Sequence, residues 1–186
     1  MNLPRLLVLT DRSQLRLGRG LARTIEECVA AGLEAVVVRE HDLEPPARRA
    51  LVAHLAAIDG LFVISSRTSD PTADAVHLAA AQDPPADGLF GRSCHTREEV
   101  GAAARAGASW ALLSPYADGV TKPGRDPLPP SAWSGNPIPV FALGGVDPAN
   151  AAAARERGAH GVAVMGAVMR SPDPSQVVAD LLGALR

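Results

Sequence analysis

Eight short apolar runs, each closing on polar or glycine residues, recur in order along 186 residues, and that count most constrains the fold. They are Leu6–Thr10, Ala35–Arg39, Leu61–Ile64, Ala75–His77, Leu89–Ser93, Trp110–Leu113, Ile138–Ala142 and Gly161–Met165. Because the runs are continuous rather than alternating, they predict strands buried on both faces, a parallel sheet under helices. Alanine-rich helical patterns follow five of them, at Gly20–Ala31, Pro46–Ile58, Arg97–Ala106, Asn150–Arg157 and Ser175–Leu185. Eight βα units predict an α/β fold, a small (β/α)8 TIM barrel, with residues 1–186 as one domain. An open doubly wound sheet with fewer strands is the structural rival. Two crossovers are too short for a full helix: SSRTSDPTAD (65–74) and AAAQDPPADG (79–88). Helices 3 and 4 are therefore expected to be much shortened. The proline-rich stretch Pro123–Pro139 replaces most of a sixth helix and is expected to form a rim loop.

The composition removes several classes of function. Net charge is −2 and aromatics make up 3%, with no basic run interleaved with aromatic residues, so nucleic acid is not an expected partner. No apolar stretch is long enough for a membrane span, and the N-terminal run meets Asp11-Arg12 without a small-residue cleavage site. The expected location is cytoplasmic. Cys28 and Cys94 are the two cysteines; their separation indicates neither a disulfide framework nor a zinc site, and Cys28 is expected in the core.

In a barrel of this kind the ligand meets the C-terminal ends of the strands. Here those ends read Thr10-Asp11-Arg12, Arg39-Glu40-His41, Ser65-Ser66-Arg67, His77, Ser93-Cys94-His95 and Ser114. The last two units each pass from an apolar run through glycine into a helix: ALGGVDPAN (142–150) and GVAVMGAV (161–168). Gly144-Gly145 and Met165-Gly166 thus offer adjacent backbone N–H groups to one phosphate, with Asp147-Pro148 as cap and first residue of the following helix. Two αβ turns that use glycine for geometry alone are the alternative. Ser93 and His95, two apart, share a strand face, and His95 is a candidate proton shuttle; alternatively, the segment starts a helix through Thr96 and Glu98-Glu99. Thr121 and Lys122 lie in a loop that could bring an ammonium over a phosphate, or simply into solvent. Arg39 is either an anion anchor or a partner of Glu40 or Asp11. His77 is either a site residue or a core histidine, and His54 and His160 are read as surface residues.

The segments VLTDR (8–12), VVVREHD (36–42), ADAVHL (73–78), GRSCHTREEV (91–100), SPYADGVTKPG (114–124), ALGGVDPAN (142–150) and GVAVMGAVM (161–169) occur in this order. Together they resemble the thiamine phosphate synthase and TenI family over essentially the whole chain. The resemblance implies a (β/α)8 barrel and one of two chemistries. Synthases join a thiazole phosphate to a pyrimidine pyrophosphate with magnesium; TenI-type tautomerases isomerise a carboxylated thiazole phosphate.

Departures separate the branches. Synthases resemble Gln-Leu-Arg-Glu-Lys on strand two, where this chain has Val37-Val38-Arg39-Glu40-His41. They resemble Asn-Asp-Arg after strand three, where Ser65-Ser66-Arg67 stands, so a magnesium-ligand aspartate position is serine. Asp83 falls one residue out of register with a second family aspartate, and the Thr-x-Thr-Lys loop reads Gly119-Val120-Thr121-Lys122. The resemblance therefore implies a tautomerase-like isomerase. His95 would move a proton between ring carbon and ring nitrogen, and phosphate would be held by Gly144, Gly145, Met165, Gly166, Lys122, Thr121, Ser93 and Arg39. No metal or cofactor is expected in that case. The alternatives are a divergent synthase using magnesium on Asp83 or Asp11, and a catalytically silent barrel that binds thiazole or thiamine phosphate. A homodimer is consistent with the surface that missing helices expose.

Overall fold

The computed structural model describes residues 3–118 and 126–186. Eight parallel strands close in sequence order: β1 Leu6–Leu9, β2 Ala35–Val38, β3 Phe62–Ser66, β4 Ala75–Leu78, β5 Phe90–Cys94, β6 Trp110–Leu113, β7 Val140–Leu143 and β8 Gly161–Val164. Closure is completed by the pairing of Leu6 with Val162 across β1 and β8. The open-sheet rival is thereby set aside. The strand expected from Ile138 begins at Val140, because Pro139 has no N–H for the ladder.

The helices are α1 Leu21–Ala30, α2 Pro45–Ala56, α3 Arg97–Arg105, α4 Ala151–Glu156, α5 Gly166–Met169 and α6 Pro174–Ala184. Single 3-10 turns lie at Arg12–Gln14 and Pro130–Ala132. Thr96 starts α3 by accepting from the N–H of Glu99 at 3.2 Å, and the Glu99 carboxylate returns to the N–H of His95 at 2.6 Å. Asp147 accepts from the N–H groups of Ala149 and Asn150, the bonds expected of a cap, but regular helix begins later, at Ala151.

The β3–β4 and β4–β5 crossovers carry no helix at all. Register explains how the chain returns in so little length: β4 starts at Ala75 opposite Ile64, part-way along β3. Eight residues in extended form reach about 26 Å, enough for that shortened return. Asp74 anchors it by accepting from the N–H of Val63 at 2.7 Å, and Asp70 accepts from Thr72. In place of a helix on the next crossover, the Arg92 guanidinium donates to the carbonyls of Ala80 and Gln82 at 2.9 and 2.6 Å.

Two apolar layers result. Between strands and helices lie Ile25, Cys28, Val52, Leu55, Val100, Val168 and Val178. Inside the barrel, Leu7, Ile64, Trp110, Leu112 and Phe141 fill the interior. Trp110 is fully buried and supports the floor of the barrel mouth. Among the described residues no helix is long and apolar enough to cross a membrane.

Candidate functional site

A cavity of about 390 Å³ opens at the C-terminal end of the barrel, with residues from all eight strands or their exits around it. Leu9, Val37, Leu112 and Leu143 line its apolar part, and the polar groups stand on two sides.

One side is backbone. Gly144 and Gly145 follow β7 in left-handed conformations, with φ of +93° and +67°. A side chain at 145 is impossible without movement, since its Cβ would lie 2.5 Å from the carbonyl oxygen of Asp118. Among the described residues, no acceptor is found for the N–H groups of Gly144, Gly145, Gly166 or Ala167. Gly144, Gly145 and Met165 line the cavity. Gly166 does not; a Cβ there would meet the far end of the Arg170 side chain, which is hydrogen-bonded to Gln14.

The other side is cationic. Arg39, His41 and Arg67 line the cavity from the exits of β2 and β3. Neither arginine has a carboxylate partner among the described residues. The expected alternative for Arg39 fails because Glu40 turns away from the cavity to Arg12, whose Nη1 lies 2.9 Å from its carboxylate. Arg12 also grips Asp42 with both Nη atoms. Arg39 instead reaches the thioether of Met165 at the exit of β8, two strands away around the barrel. Beneath this wall the buried Arg48 of α2 donates to Ser65 Oγ and to the carbonyls of Val38 and Ser66, pinning the ends of β2 and β3.

Between the two sides stand Ser93 of β5 and His95 just past its end, both in the cavity wall, with Cys94 buried behind them. Thr96 does the helix capping, so His95 remains in the cavity. Its Nδ1 lies 3.2 Å from both the carbonyl oxygen and Oγ of Ser114. A carbonyl can only accept, so the proton belongs on Nδ1, leaving the Nε2 lone pair as a base. Two further imidazoles line the cavity. His41 stands at the exposed rim, where partial desolvation and then the neighbouring Arg67 and Arg39 shift it downward. Burial, then Arg92 and Arg39, push His77 down to about 3.

The donor set does not fit magnesium, which binds through carboxylate and other oxygen ligands. Among the described residues no carboxylate lines the cavity. Asp83 is exposed and outside it. Asp11 is occupied by Ser13 and Gln14 in the 3-10 turn after β1. Both substitute ligands expected for a synthase thus lie elsewhere.

Of the residues singled out in the sequence, Arg39, Ser93, His95, Gly144, Gly145 and Met165 come together. Gly166 falls just outside, and Thr121 and Lys122 lie outside the described residues. His160 is not a free surface residue: its ring packs edge-on against Phe141 and reaches the Leu3 carbonyl at 3.1 Å. His41, Ser66, Arg67 and Ser114 also line the cavity. All four stand among the polar strand ends read from the sequence, though none was assigned a role there.

The family model described as thiamine monophosphate synthase matches residues 6–168. A putative thiamine-phosphate synthase of Geobacter sulfurreducens is 33% identical, covering 97% of this chain and 93% of the relative. A thiamine-phosphate synthase of Prochlorococcus marinus is 30% identical over 97% of the chain, which covers 56% of that protein. The chain thus spans about half the length of the first curated relatives it matches. Among solved structures, a thiamine phosphate pyrophosphorylase from Pyrococcus furiosus superposes with a TM-score of 0.86 at 20% identity, covering 97% of this chain and 95% of that one. A geranylgeranylglyceryl phosphate synthase from Thermoplasma acidophilum gives 0.72 at 15% identity, covering 97% and 92%. These likenesses to solved structures speak to the fold.

Proposed function

Since this chain belongs to the thiamine monophosphate synthase and TenI family, we propose that it binds a thiazole phosphate and isomerises it by acid–base catalysis. The unclaimed amides of Gly144 and Gly145 hold the phosphate, and the ring lies over the apolar floor toward His95. His95 Nε2 takes a proton from one ring position and returns it at another, with no leaving group and no metal. The observation that carries this reading is the wall of the cavity: guanidinium and imidazole groups stand at β2 to β4, and the nearby carboxylates face elsewhere. Three negative charges of a pyrophosphate entering that mouth need compensation, and uncompensated burial of even one charge costs several kcal/mol.

A second reading, a thiamine-phosphate synthase, has the names of the relatives behind it and so stands better on kinship. Arg39 and Arg67 would then have to compensate the leaving group with a metal held by carboxylates that do not line the cavity.

Parallel assays decide between them. The purified protein is given a carboxylated thiazole phosphate tautomer, and separately thiazole phosphate with pyrimidine pyrophosphate, each with and without magnesium. Isomerisation that is indifferent to magnesium supports the first reading. Magnesium-dependent thiamine phosphate without isomerisation replaces it with the second. Binding with neither turnover leaves a silent phosphate-binding barrel.

A further inference from the structure

Behind the catalytic imidazole, Ser93 meets a second one. The Oγ of Ser93 on β5 lies 2.9 Å from Nε2 of His77 on β4. His77 is 4% exposed and its ring stacks on Trp110, with 23° between the planes. Its Nδ1 is sealed from solvent and has no hydrogen-bond partner among the described residues.

A neutral imidazole carries a single N–H, so this pair has two possible arrangements. With the proton on Nδ1, a donor is buried without an acceptor, and Ser93 gives its own proton to Nε2. With the proton on Nε2, His77 donates to Ser93, and only a lone pair is left bare at Nδ1. Orphaned N–H groups are the rarer arrangement in folded proteins, which favours the second. In that arrangement the acceptor role of Ser93 is filled. Its hydroxyl proton has no other acceptor among the described residues, and the residue lines the cavity.

We propose that His77 is a positioning residue that turns Ser93 into a fixed hydrogen-bond donor, so that the site selects a ligand with an unprotonated sp2 acceptor there and rejects one bearing N–H or NH2. The proposal deepens the functional reading above, and rests on it in taking the acceptor to be the thiazole ring nitrogen. Burial keeps His77 neutral around pH 7, so the direction of donation does not reverse. Ser93 and His95 then present opposite polarities two residues apart, a donor beside a base. A ring nitrogen bonded to Ser93 has its lone pair engaged, so it neither accepts the proton that His95 moves nor attacks a carbon; His95 then exchanges the proton between carbon positions of the ligand.

Two measurements test this. In ligand-free protein labelled with 15N-histidine, the His77 resonances are assigned by their loss in His77→Met. A protonated Nε2 and bare Nδ1 are expected; the reverse overturns the proposal. Calorimetry then compares 4-methylthiazole-5-ethyl phosphate with its thiophene counterpart, which has CH in place of nitrogen. The protein should bind the thiazole about tenfold more tightly, as a hydrogen bond to a desolvated acceptor provides. That preference should vanish in Ser93→Ala, persist in Ser93→Thr and shrink in His77→Met, with thiophene binding unchanged. General damage would weaken both compounds equally, and a preference intact in Ser93→Ala overturns the assignment. If neither phosphate binds, the functional reading falls, and the NMR result alone decides the His77 arrangement.

Discussion

Under the proposed function, the two sides of the cavity meet negative charge by different means. After β7 the receptor is backbone, held in a left-handed turn by close contact with the β6 exit. Near β2 and β3 it is side-chain charge: Arg39, at the exit of β2 ahead of α2, and Arg67, on the crossover after β3 that carries no helix. Fixed amides suit one tetrahedral dianion in one place. Long guanidinium side chains can follow a group whose position changes during a reaction. The barrel thus separates an anchoring side from an adaptable one, with His95 between them.

The sharpest test of that division removes what lies between. His95→Ala should lower turnover by about 10²–10⁴-fold, the usual contribution of a general acid–base, while affinity for a thiazole phosphate stays within about threefold. Steady-state kinetics with calorimetry reads both, and full turnover in the variant would take His95 out of the mechanism.

Next in size are the supports of each side. Arg48→Leu strips donors from Ser65 and from the carbonyls of Val38 and Ser66 and should destabilise by about 3 kcal/mol. Thermal melts should fall by roughly 6–12 °C. Gly145→Ala forces a Cβ into the Asp118 carbonyl at a positive φ and should cost about 2 kcal/mol, together with the affinity for simple phosphate esters. If the first variant loses phosphate affinity and the second keeps it, the two sides have been assigned the wrong way round.

A smaller effect separates the ligands. The double variant Arg39→Ala, Arg67→Ala should weaken a thiazole phosphate with a second, carboxylate group about tenfold, and the plain phosphate by less than about threefold. Equal losses would mean that the arginines serve the phosphate itself.

At neutral pH the last effect, acid sensitivity, is silent and grows only as pH falls. His77 is neutral when folded down to about pH 3, whereas the unfolded chain protonates it near 6.5. Below about 6.5 the unfolded state therefore binds the extra proton. The stability that His77 contributes is complete above that value and is lost as pH falls toward 3. Comparing wild type with His77→Met should show a difference in slope of about one proton, roughly 1.4 kcal/mol per pH unit. Parallel slopes would place water against the ring.

The sequence made the barrel legible because each strand is buried on both faces and so reads as an unbroken apolar run. Strand ends shifted by one or two residues at several places, as from Leu61–Ile64 to Phe62–Ser66, and at Pro139 the missing N–H gives the reason. The residues that line the cavity were legible where their position on their own strand decides them, as for Arg39, Ser93, His95 and Gly144. What depends on the register between strands was not. Arg48 looks like one charge on a solvated helix, and only the β2–β3 pairing brings two carbonyls to it. Gly166 looks like a phosphate glycine, and only the fold shows Arg170 lying over it. His77 carried two readings in the sequence, and the structure makes it both buried and part of the wall.

The most direct test is a crystal structure of the protein with a thiazole phosphate. The phosphate oxygens should sit within hydrogen-bond distance of the Gly144 and Gly145 amides, with the ring turned to His95. A phosphate clasped instead by Arg39 and Arg67, with those amides facing only solvent, would contradict the account.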